Sequence, residues 1–141
     1  RMSAGTGISH SEYNASQTEP VHFLQIWIIP DKTKLTPAYE QRSFRFDDHR
    51  GRFTLIASND GRDDSVTVHQ NVDVWATRCA PGEQVTFHLK PRRQAWMQTA
   101  RGSVALNGTL LRMGDGAAAS EENILEVKAV EDAELLLFDL A

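Results

Sequence analysis

The residues with the most chemistry in them stand close to the start of the chain, in His10-Ser11-Glu12. In an extended segment, side chains two apart share a face. His10 and Glu12 then point the same way, and an imidazole beside a carboxylate is half of a typical non-haem iron site. The glycines of Gly5-Thr6-Gly7 allow a tight backbone path just before the pair. The pair alone also reads as a solvated couple on a surface strand. A phosphate loop over residues 5–10 fails, because the third glycine is missing and no helical pattern follows.

The other candidate side chains read more plainly. His22 sits in a run apolar on both faces and is expected to be buried and hydrogen-bonded. His69 reads similarly, with a role at a domain boundary as the alternative. His49, among Asp47, Asp48 and Arg50, is expected to be solvated. Trp27, Trp75 and Trp96 are expected to be core or interdomain anchors. Lys90, Arg92 and Arg93 read as a solvated basic turn, and Cys79 as a buried structural thiol. The acids between Asp60 and Asp64 lack calcium-loop spacing.

The elements that must position these residues are strands. Residues 21–29 (Val-His-Phe-Leu-Gln-Ile-Trp-Ile-Ile) are rich in β-formers and apolar on both faces, so a buried strand ended by Pro30 is expected. Residues 32–48 carry no clean period and read as loop. Strands are expected over 53–58 and 65–70, joined as a hairpin through Asp60-Gly61. Others follow over 72–79, 84–90, 95–100, 103–106, 109–113, 117–119, 124–130 and 134–139, with Asn107-Gly108 as the strongest hairpin signal. No stretch holds a helical period. Short strands at this spacing make the chain all-β, a sandwich or small barrel.

The 141 residues suffice for one packed core, with 40% hydrophobic and 24% charged residues. No apolar run approaches the roughly 20 residues of a membrane helix. A net charge of −4, with seven acids against Lys128 over residues 121–139, argues against a nucleic-acid or anionic-membrane partner. The single cysteine excludes an internal disulfide, which fits a reducing, cytoplasmic setting. Residues 1–7 form no signal peptide and do not read as a natural start, so an amino-terminal part is expected upstream.

The first fourteen residues, Arg1-Met2-Ser3-Ala4-Gly5-Thr6-Gly7-Ile8-Ser9-His10-Ser11-Glu12-Tyr13-Asn14, closely resemble a signature of the pirin family of bicupins. Glu19-Pro20-Val21-His22-Phe23-Leu24-Gln25-Ile26-Trp27-Ile28 is similar to that family too. So are Tyr39-Glu40-Gln41, Ala57-Ser58-Asn59-Asp60-Gly61, Val68-His69-Gln70 and Phe138-Asp139-Leu140. The resemblance runs over essentially the whole chain, and the proteins it resembles look like bacterial pirin-like proteins, some described as quercetin 2,3-dioxygenases. It implies a cupin-type jelly roll and a tandem of two cupins, the first holding a metal, usually iron, with three His and one Glu. His10 and Glu12 fall on the third His and the Glu; the other two His belong to a His-x-His segment upstream of residue 1.

By that resemblance, residues 1–20 are the tail of a truncated metal-binding cupin. Residues 21–52 are a connecting strand and interdomain linker, and 53–141 a second cupin. The second cupin is expected to be metal-free: no His follows His88, and Pro91, Arg92, Arg93 and Gln94 stand where ligands would be, although Gly114-Asp115 resembles the family's turn. The parent is implied to use Fe(II) or another divalent metal on a flavonol such as quercetin. The alternative is a pirin-type regulator that binds a protein partner without turnover. This chain alone is expected to hold no metal tightly and to be inactive. Its first twenty residues, lacking the missing cupin, are expected to be unordered or to pair in a homodimer.

Overall fold

The computed structural model describes residues 1–46 and 50–141. Among them the regular elements are strands: β1 (Met2–Ser3), β2 (Ala38–Tyr39), β3 (Thr54–Ser58), β4 (Val66–Thr67), β5 (Val72–Cys79), β6 (Gln84–His88), β7 (Gln94–Arg101), β8 (Ser103–Leu106), β9 (Thr109–Arg112), β10 (Gly116–Ala119), β11 (Ile124–Ala129) and β12 (Ala133–Leu140). A six-stranded sheet in the order β10-β7-β12-β5-β3-β4 faces a four-stranded sheet, β6-β11-β8-β9. The result is an all-β jelly-roll sandwich, as the strand spacing predicts.

The core follows from period-two alternation. In β11, Leu125, Val127 and Ala129 are buried while Ile124, Glu126 and Lys128 face out. In β7, Ala95, Met97 and Thr99 turn inward. These meet Val104, Leu135 and Leu137 in one cluster between the sheets. β12 lies between β7 and β5, and its even-numbered Phe138 and Leu140 join Val72 and Val74 in a second cluster on the opposite face. That two-sided burial is why Leu135-Leu136-Leu137-Phe138 is apolar throughout.

The Asn107-Gly108 hairpin forms with both residues at positive φ (44° and 83°), and its registers place Leu106 opposite Thr109. The Asn107 side chain also ties this turn to β11, accepting the Glu126 N–H at 2.7 Å and donating to the Ile124 carbonyl at 3.2 Å. At Gly116 a Cβ would come within 2.1 Å of Trp96 Cζ2, so the glycine lets the indole lie against β10.

Three expectations are corrected. Residues 21–29 form no strand: Val21, Phe23, Leu24, Ile26, Trp27 and Ile29 are exposed, and only Ile28 packs, half-buried, on the second cluster. β-formers make a strand only where a neighbouring edge accepts their backbone bonds, and no described strand pairs with this run. His22 and Trp27 are therefore exposed rather than buried. The Asp60-Gly61 step does not close a hairpin, because β3 and β4 pair in parallel across a 3₁₀ turn at Arg62–Asp64. Arg62 donates to both Asp60 and Asp73 and fixes that turn. The loop over 32–48 contains one short strand, β2, which pairs with β1, so the first residues pair within this chain. The reading of His49 lies outside the described residues.

Candidate metal centre

His10 and Glu12 lie in an extended stretch between two compact turns. Before them, the Gly7 N–H donates to the Ala4 carbonyl at 2.8 Å. Gly5 sits at φ 52°, where a Cβ would meet the Leu35 carbonyl oxygen at 2.0 Å. Only glycine fits that approach and that φ. After them, Asn14 Nδ2 donates to the Glu19 carbonyl at 2.7 Å, and Ser16 Oγ accepts the Glu19 N–H at 2.8 Å. These are side-chain turns of the kind Asn and Ser build. Between the turns, His10 Nδ1 stands 3.9 Å from Glu12 Oε1, with the two side chains 35% and 49% exposed.

The donor set fits a borderline divalent metal, since imidazole nitrogen and carboxylate oxygen both ligate Fe and Ni. Two donors each about 2.0–2.2 Å from a shared ion stand at most about 4.4 Å apart, and the observed spacing lies within that limit. Two protein donors are one short of a facial triad. Among the described residues no group of three His, Cys, Asp or Glu side chains gathers anywhere. His69 is half-buried next to β4, with its carbonyl accepting the Asp31 N–H at 2.8 Å, and His88 is exposed at the end of β6.

Glu40 anchors the segment that carries the pair. Its Oε2 accepts the Thr67 N–H at 3.0 Å and an Arg1 N–H at 2.9 Å, while the Arg1 ammonium donates to its carbonyl at 2.6 Å. The Thr67 bond first, then Arg1, hold its carboxyl below the usual glutamate range. The start of the chain is thereby tied to the sandwich edge at β4.

Arg93 is not solvated, contrary to expectation. Its guanidinium donates to the Asp139 carboxylate, to the Asp139 carbonyl at 2.6 Å and to Asn71 Oδ1 at 2.9 Å. A fork of donors suits such convergent acceptors, and nothing in the local Lys90–Arg93 pattern announces partners 22 and 46 residues away. Cys79 is buried as expected, and burial pushes its thiol up. Of the tryptophans, Trp75 packs edge-on against Phe87 at 5.5 Å, whereas Trp27 and Trp96 are exposed.

Residues 55–140 match the family described as quercetinase C-terminal cupin domain, and residues 1–28 match Pirin. The chain belongs to the pirin-like quercetinase family. It is 44% identical over 139 residues to the quercetin 2,3-dioxygenase of Escherichia coli K12, covering 99% of this chain and 59% of that protein. The crystal structure of YhhW from Escherichia coli superposes with a TM-score of 0.88 at 41% identity, covering 99% of this chain and 58% of YhhW. The bacterial pirin YhhW in complex with nickel(II) gives 0.87 at 42% identity, with 99% and 59% covered. The sandwich is a cupin fold. This pirin-family chain spans about three fifths of the length of these relatives.

Proposed function

We propose that this chain is the carboxy-terminal part of a metal-dependent dioxygenase acting on flavonols such as quercetin. Residues 1–20 are the tail of a first, metal-binding cupin, 21–52 a connecting segment, and 53–141 a second cupin without metal. The observation that carries this reading is the His10–Glu12 pair, 3.9 Å apart within the segment that matches Pirin. The names of the relatives and the nickel(II) complex of one of them support it.

Both side chains have defined tasks. His10 offers a neutral imidazole nitrogen and Glu12 an anionic oxygen that offsets metal charge. The remaining two His come from the part of the protein that this sequence does not span. A bound divalent ion supplies Lewis acidity and open positions for substrate and dioxygen. The exposed Phe23, Leu24, Ile26 and Trp27 form an apolar patch that the missing cupin covers. Cytoplasmic placement agrees with the lone, buried thiol.

The test compares this chain with a protein carrying the upstream cupin. Anaerobic Fe(II) loading and oxygen uptake with quercetin are measured for both. The expected result is one tightly bound metal and uptake only in the longer protein, abolished by His10→Ala and unaffected by His88→Ala. Metal binding without uptake would favour the regulatory reading. Tight binding and turnover by this chain alone would overturn the ligand assignment.

A further inference from the structure

A hollow lies away from His10 and Glu12, among residues 42–45, Arg52 and Phe53, the turn after β3, and strands β3 and β5. It is an open hollow of about 600 Å³, a volume within the usual range of small-molecule sites. Phe53 and Trp75 line it, and both rings are braced from behind by Phe87, edge-on at 5.3 and 5.5 Å. Trp75 Nε1 is buried without an acceptor. Buried donors in native folds nearly always have a partner, and this one, in a ring that lines the hollow, has none among the described residues.

Three arginines, Arg42, Arg45 and Arg52, and two aspartates, Asp63 and Asp64, line it. Arg45 is exposed and makes no ion pair among the described residues, whereas Arg42 is paired with Glu40 at 3.4 Å. Asp63 and Asp64, both exposed at positive φ in the 3₁₀ turn, also make no ion pair among the described residues. Three guanidinium groups, two carboxylates and an aromatic wall around one hollow match a flat ligand with an acidic group and a hydroxyl donor. We propose that this cavity in the second cupin is a further binding site, for a small planar aromatic acid bearing a hydroxyl group. The ring packs on Phe53 and Trp75, the carboxylate meets Arg45 and Arg42, and the hydroxyl donates to Asp63 or Asp64.

The probe is 4-hydroxybenzoate, titrated into this chain and followed by tryptophan fluorescence and amide chemical shifts. Saturable binding is expected, with shifts centred on Phe53, Trp75 and Arg45. Arg45→Gln, an exposed change that leaves the fold intact, weakens binding about tenfold, and replacing the acid by 4-hydroxybenzamide does the same. Trp75→Phe keeps the packing and tests the N–H separately; weaker binding is expected. His10→Ala leaves binding unchanged. The proposal is overturned by the absence of saturable shifts up to about 10 mM, by wild-type binding in Arg45→Gln, or by shifts confined to residues 1–20.

Discussion

Glu40 accepts hydrogen bonds from Thr67 and Arg1 at once, and its charge is what they need. Its pKa is depressed in the folded chain, so the stabilisation is present above the ordinary glutamate value and is lost as pH falls through the folded one. The amide shift of Thr67 should therefore titrate in acid, and exchange at Met2 and Ser3 should quicken over the same window. Glu40→Gln should flatten that pH dependence, which two-dimensional NMR at a series of pH values would check. Arg93 offers a harder test. Its partner carboxylate on Asp139 is only 5% exposed, and removing one member of a buried pair strands the other. Arg93→Ala should lower stability by about 3 kcal/mol in urea unfolding. A loss within about 0.5 kcal/mol would mean that water replaces the guanidinium. At this scale type and spacing pointed to His10 and Glu12 as neighbours, and their side chains do stand 3.9 Å apart. The sequence concealed the Arg93 fork, because the acceptors come from strands far along the chain.

Strands such as β5, β6, β7 and β11 were legible because one face of each meets the inner core and the residues alternate accordingly. Residues 21–29 were misleading for the complementary reason. Their composition describes an environment, buried on both faces, and the described sheets leave Trp27 and Ile29 exposed. The parallel β3–β4 pairing was hidden because a Gly61 at positive φ serves a 3₁₀ turn as well as a hairpin. The two faces of β12 allow a direct comparison. Leu137 is fully buried between the sheets, whereas Phe138 is half-buried on the outer cluster. Leu137→Ala should cost about 3–4 kcal/mol. Leu136→Ala, on the same outer face as Phe138, should cost less than half of that. Thermal or urea melts of the two variants would check the order, and equal losses would contradict the two-cluster description.

For the whole molecule, the strand order matters as much as the contacts. β12 is the last strand along the chain, yet it sits third in the six-stranded sheet, hydrogen-bonded to β7 on one side and β5 on the other. A chain cut before Ala133 should lose the cooperative transition in urea and expose apolar surface to a reporter dye, rather than losing one strand's worth of stability. The same order has a consequence during synthesis. Until residues 133–140 are free of the ribosome, the β10–β7 and β5–β3–β4 halves each present an open edge. Closure awaits the emergence of Leu135 and Leu137 from the exit tunnel, so the nascent chain passes through a window of vulnerability to aggregation that ends only when β12 slots between the two halves.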